Sequence, residues 1–277
     1  MEFNLSEWVN LLSRWFHVFA GILWIGQTYL FIRFDRSIEK PPSVTLPDNV
    51  AGQMWMVHGG GFFVVEKLTG LNKLPFKLHW FKWEAMLTWI TGMILLVVVY
   101  YMGGLMAGAK VGEGAAIAIG LGAVLLAWPV YELLWRSPLG KNEIVGSTIS
   151  FLLVLAVAYG LKWVMPSRAA FFHIGAMLGT IMVTNVWMLI IPAQKQIIRM
   201  IEQGQPANMA LARRARQSSK QNSYMAVPVV FIMISNHYPV ATYANQHSVW
   251  VLGGIILAGW IAAKLMRDGF PWSRSHN

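Results

Sequence analysis

The 277-residue sequence contains no cysteine, which excludes disulfides, thiolate-held zinc, iron–sulfur clusters and covalently attached c-type haem. Any metal must rest on histidine or oxygen ligands. Charge is scarce: 12% of residues are Asp, Glu, Lys or Arg, against 56% apolar ones. That balance excludes an ordinary soluble domain. Acidic residues are scarcer still, 12 Asp+Glu against 22 Lys+Arg, leaving a formal charge of +10. A cleavable leader is not expected either. MEFNLSEW is acidic where a leader is basic, and the apolar run from Trp15 is too long for a leader core.

What the sequence does have is uninterrupted apolar length. Residues 15–32, 85–109, 114–131, 144–161, 169–194 and 221–263 carry no Lys, Arg, Asp or Glu. A helix needs about 20 mostly apolar residues to cross a bilayer. The last run, divided by the polar stretch HYPVATYANQHS (237–248), suits two helices. The fold expected is an all-α integral membrane protein of about seven transmembrane helices. With seven spans, one side collects 17 Lys/Arg and the other four, Arg14, Lys110, Lys162 and Arg168. The positive-inside rule then puts the N-terminus outside and the C-terminus in the cytoplasm. The basic excess is thus a topology signal, and no nucleic-acid partner is expected. Residues 1–277 read as a single membrane domain with cytoplasmic elaborations at 34–77 and 192–222. In the first, a Pro-rich linker (EKPPSVTLPDN) leads to MWMVHGGGFFVVEK, whose Gly triplet separates two β-prone stretches, a short hairpin or re-entrant element. The second reads as an extension of the fifth helix, a turn at GQP and a basic helix ALARRARQSSKQ.

Polar residues inside spans are costly and mark function by default. His17, His173 and His237 fall on the first, fifth and sixth spans, each expected near the outer end. Imidazoles at one depth suit axial ligation of haem b, one or two per chain, with these histidines as iron ligands and small neighbours (Ala20, Gly21, Gly175, Ala176) admitting the ring. The plainer reading of each is an interfacial histidine bonded to a carbonyl. At the inner end of the second span, LHWFKWEA places His79 and Lys82 on one helix face. They read either as an aromatic belt with a snorkelling lysine, or as a pocket with His79 as ligand or acid/base and Lys82 as anion partner. His58 and the backbone N–H groups of Gly59, Gly60 and Gly61 are candidates for the same pocket. Asn185 and Glu132, within spans, read as helix-packing hydrogen bonders.

RWFHVFAGILWIG, MWMVHGGGFFVVEK with LPFKLHWFKWEA, HIGAMLGTIMVTNVWMLIIPAQK and NSYMAVPVVFIMISNHYP together resemble the membrane domain of bacterial cytochrome c-linked urate hydroxylase (urate oxidase). They occur in that family's order and cover most of the chain. The resemblance implies a bacterial inner-membrane redox protein in which urate is oxidised and electrons pass to a cytochrome c. The family continues through another span into a CxxCH cytochrome domain, whereas this sequence closes on DGFPWSRSHN. A separate cytochrome c or other redox partner is therefore expected. Urate is a small anion, which Lys67, Lys82 and the basic face suit. The expected function is a membrane-bound haem-b oxidoreductase acting on urate or a similar molecule. The alternative is a non-catalytic haem-bearing anchor and electron-transfer subunit of a larger complex. A transporter is disfavoured because no inverted repeat or pair of broken helices is visible.

Overall fold

The computed structural model describes residues 4–40, 45–70 and 78–269. Part of the Pro-rich linker (41–44), the LPFK portion of the LPFKLHWFKWEA motif (74–77) and the closing 270–277 lie outside the described residues.

Among the described residues, seven long helices form the bundle. They are α1 (Leu5–Ser37), α2 (Trp83–Tyr101), α3 (Glu113–Arg136), α4 (Glu143–Val164), α5 (Ser167–Glu202), α6 (Met209–Ile234) and α7 (Ser248–Asp268). All but α6 are long and apolar enough to cross a membrane. Short side chains start several of them. Asn4, Asn142 and Asn208 cap α1, α4 and α6 by accepting hydrogen bonds from first-turn N–H groups. Large apolar side chains such as Phe16, Phe19, Ile22, Leu126, Leu133, Leu152 and Ile261 stay exposed around the bundle. In water such a surface is untenable, whereas in lipid it is the expected exterior.

The centre is α5. Between Ala169 and Val186 almost every side chain is buried, because α2, α3, α4 and α6 all pack against it. α1 leans chiefly on α2, and α7 on α6. Proline is accommodated locally. Pro228 sits inside α6, and Gly259 of α7 leaves the room for its ring, since a Cβ there would lie 2.7 Å from the proline Cδ.

Two stretches depart from α-helical pitch. Leu96–Tyr101 ends α2 as π-helix, and Asn185–Ile190 is a π-helical segment in the middle of α5. Such wide turns recur at functional sites, and each here begins or ends on a buried polar contact described below.

The expected hairpin is present. β1 (Val50–His58) and β2 (Gly61–Leu68) pair antiparallel, His58 opposite Gly61 at the tip and Gly52 opposite Lys67 near the base. Gly59 and Gly60 make the turn with φ of 57° and 81°, a region costly for other residues. The basic helix expected after GQP is also present, but it runs on without a break into the next apolar segment, as α6.

The ends of the helices that carry Arg33, Arg36, Lys82, Arg136, Lys141, Arg214, Lys220 and Arg267 are hereafter the basic end. There Glu132 of α3, largely buried, accepts from Arg136 one turn on and from Arg214 of α6. This pairing ties the polar half of α6 to the bundle.

Candidate functional site

Of the three histidines expected at one depth, His173 and His237 lie toward the end of the bundle opposite the basic end, and His17 does not. α1 begins at Leu5, not near Arg14, so His17 lies about twelve residues inside the helix. Arg14 stays helical and donates its Nε–H to Asn10 Oδ1 at 2.8 Å. His17 Nδ1 lies 2.9 Å from Thr88 O and 3.2 Å from Thr91 Oγ1, and its ring fills the space above Gly92, where a Cβ would come within 2.9 Å of it. His173 is fully buried on α5. Its Nδ1 donates to Ala169 O at 2.7 Å, which leaves Nε2 to accept from Tyr101 OH at 2.9 Å. Gly120 of α3 makes room for that ring. Thr88–Thr91 and Tyr101 lie on the same helix, roughly 15–20 Å apart along its axis at ~1.5 Å per residue. His237 is exposed on the turn Ser235–His237 after α6.

His17 and His173 therefore differ in depth, and His173 has both nitrogens committed. Among the described residues no group of three or more His, Asp or Glu is placed to hold a metal. The arrangement does not fit a haem ligated between α1 and α5.

At the basic end the structure separates the expected pocket residues too. His58 and Gly59–Gly60 are exposed at the hairpin tip. Lys67, some six residues from the tip or about 20 Å of strand, forms an exposed ion pair with Asp35. His79 is exposed and stacks edge-on against Phe81 at 4.7 Å, which in turn meets Phe31 of α1. Only Lys82 enters a built site. Its ammonium lies 5.3 Å from the Trp83 ring centre and 5.2 Å from that of Trp187, a cation–π arrangement. Trp83 and Trp187 meet edge to face at 5.4 Å.

Two side chains missed in the sequence complete this place. Glu84, the next residue on α2, accepts at Oε1 from Gln27 of α1 (3.3 Å), while its other oxygen, Oε2, is buried with no hydrogen-bond partner. Trp187 Nε1, an obligatory donor, is likewise buried and unpaired. Trp24, Trp80 and Trp89 pack around Ala85, Val183 and Val186 beside them. A cation, an unpaired acceptor, an unpaired donor and several aromatic faces thus gather where α1, α2 and the π-helical part of α5 meet. Buried polar atoms without partners cost about 1–3 kcal/mol each, so a ligand that gives Glu84 Oε2 a donor and Trp187 Nε1 an acceptor is favoured here. Gln27 within an apolar helix was the available sequence signal.

A second polar assembly lies across α5, facing α3 and α6. Trp128 Nε1 donates to Asn185 Oδ1 (3.1 Å), and Asn185 Nδ2 donates to Asn222 Oδ1 (2.9 Å) and to Tyr131 OH (3.3 Å). Asn222 Nδ2 donates to Met182 O at 2.9 Å, and Tyr131 OH donates to Gln221 Oε1. This bears out Asn185 as a hydrogen bonder between helices. It also borders a cavity of about 890 Å³ between α3, α4, α6 and α7.

Long apolar helices with a lipid-compatible exterior and polar groups gathered inside define a multi-pass membrane protein. The family described as Urate oxidase N-terminal matches residues 3–268. The chain belongs to this family, the N-terminal membrane domain of cytochrome-linked urate oxidase, as the motif resemblance implies. Comparison with curated proteins and with solved structures returns no match.

Proposed function

We propose that the chain is a urate-oxidising unit of the bacterial inner membrane, taking its anionic substrate at the basic end on the cytoplasmic side. The observation that carries this reading is the cluster of Lys82, Trp83, Glu84 and Trp187, with its unpaired buried carboxylate oxygen and unpaired indole N–H. Urate is flat, negatively charged at neutral pH, and carries both N–H donors and carbonyl acceptors. The tryptophan faces cover its ring, and Lys82 answers its charge. Trp187 Nε1 donates to a carbonyl, and Glu84 Oε2 accepts from a ring N–H. Glu84 is also the group that takes up a substrate proton as the ring loses electrons. The electrons leave to a redox acceptor such as a cytochrome c. His79 and His58, both exposed, serve at the approach to it.

Purified protein supplied with urate and an artificial one-electron acceptor is expected to consume urate. Glu84→Gln is expected to lower kcat by about 10²-fold or more. Lys82→Gln is expected to act mainly on KM, because it removes charge complementarity held through binding. Absence of both urate turnover and urate binding in well-folded protein rules the reading out.

A further inference from the structure

We infer that the cavity between α3, α4, α6 and α7 is a binding site for a membrane quinone, its carbonyl headgroup seated on Gln221 and Trp135. The argument starts from the direction of the hydrogen bonds. An indole nitrogen only donates, so Trp128 fixes Asn185 with Oδ1 as acceptor and Nδ2 as donor. Tyr131 OH then accepts from Asn185 Nδ2, and its own proton goes to Gln221 Oε1. Gln221 is thereby oriented with its NH₂ away from the network. That nitrogen is buried and has no partner. Trp135 Nε1, one turn after Tyr131 on α3, is buried without a partner as well. Both residues line the cavity. The chain of bonds ends in donors and asks for an acceptor.

The rest of the cavity decides which acceptor. Its walls extend from Ile119 to Trp135 along α3, roughly 24 Å at ~1.5 Å per residue, and are overwhelmingly apolar away from the Gln221 end. Its volume, about 890 Å³, lies within the range of pockets that hold drug-sized ligands. The cations at the mouth are already answered: Lys220 donates to Glu143 Oε2 at 2.7 Å, and Lys264 pairs with Asp268 at 3.3 Å. A phosphate or carboxylate headgroup has no free charge to meet here. A neutral carbonyl headgroup with a long apolar tail satisfies the two unpaired N–H groups and the walls together. This inference concerns binding alone and stands whether or not urate is the substrate of the Lys82 site.

The test is equilibrium binding of a labelled short-chain ubiquinone to the full chain in nanodiscs of neutral phospholipid, with no urate present. Saturable binding near one per chain is expected. Gln221→Leu is expected to weaken it at least tenfold, and Trp135→Phe several-fold. Lys220→Gln should leave it within twofold. Gly122 lines the cavity, and a Cβ there meets nothing within 4 Å, so Gly122→Phe sends its ring into the open space and should abolish binding, with an unchanged unfolding midpoint as the check on its fold. This variant decides the matter if Gln221→Leu fails to fold. No saturable binding, or binding indifferent to Gly122→Phe, overturns the proposal. So does binding lost with Lys220→Gln and displaced by phosphatidylglycerol, which marks an anionic-lipid site. Dissociation of an oligomer by Gly122→Phe with quinone binding unchanged overturns it in favour of a second copy of the chain.

Discussion

His173 shows how much a single buried polar side chain demands of its neighbours. Its two ring nitrogens take partners from α5 itself and from the end of α2, and α3 yields a glycine at the point of contact. Gly120→Ala places a methyl group where the nearest atom, His173 Nε2, is 2.6 Å away. Ring and hydroxyl must then shift together. The expected cost is about 1–3 kcal/mol, the usual penalty for overpacking, read as a lowered unfolding midpoint in detergent. A Gly120→Ala protein as stable as the parent refutes the packing described. That His173 is special was legible in the sequence, because an imidazole inside a span is rare. Its actual use was not: spacing cannot show that Tyr101, 72 residues away in the chain, supplies the hydrogen bond. His17 misled for a different reason. Arg14 resembles a membrane boundary, yet its side chain bonds to Asn10 within a helix that starts at Leu5, so the residue depth counted from Arg14 was too shallow. Glu84 was passed over because a helix running through His79 and Lys82 would turn it to another face. The helix begins only at Trp83, so His79 and Lys82 share no helix face, and Glu84 in its first turn meets Gln27 of α1.

At the scale of elements, the apolar runs and the Gly-triplet hairpin announced themselves, since both depend on local periodicity and turn chemistry. The two π-helical stretches did not. Each carries a hydrogen bond to a neighbouring helix, at Tyr101 and at Asn185, and no residue type encodes them. A π-helical turn takes up one extra residue while keeping the helix on either side in phase. Deleting Val98, inside Leu96–Tyr101, is therefore expected to let α2 revert to regular pitch with Tyr101 still opposite His173. Its unfolding midpoint should stay close to that of the parent. Deleting Leu126 from α3, which has no such stretch, instead rotates everything beyond it by about 100° relative to the preceding turns. Tyr131, Glu132 and Trp135 all lose their partners, and that protein is expected not to fold. Equal damage from both deletions would show that the wide turn in α2 has no absorbing role.

For the whole molecule, the open quantity is how many times the chain crosses the membrane, and α6 decides it. Its apolar portion, Tyr224–Ile234, spans only about 16 Å at ~1.5 Å per residue, well short of the ~30 Å hydrocarbon core. By hydropathy alone it does not qualify. Hydropathy, however, assumes a helix that faces lipid. From Ala215 onward α6 turns Ser218, Asn222 and Ser223 into the bundle, all buried. Asn222 bonds to Asn185 and Met182, Ser223 Oγ accepts from Arg267 Nη1 at 2.9 Å, and Ser223 O accepts from Tyr29 OH at 2.9 Å. Polar groups satisfied by neighbouring helices carry little of the usual insertion penalty. Counted from Ala215 to Ile234, the helix reaches roughly 30 Å, enough to cross. Seven crossings are then expected, with the N-terminus outside and the basic end in the cytoplasm. The absence of cysteine makes this directly measurable, because each introduced cysteine is the sole target of a membrane-impermeant maleimide. Lys141 and Gln205, both exposed at the basic end, are expected to label only in inside-out vesicles once replaced by cysteine. Ala107 and Ala244, exposed at the other end, are expected to label in intact spheroplasts. Labelling of Gln205→Cys and Ala244→Cys from the same side would mean that α6 does not cross. The C-terminal end of α7 would then face outward, and the basic residues of Lys264 and Arg267 would stand against the positive-inside rule.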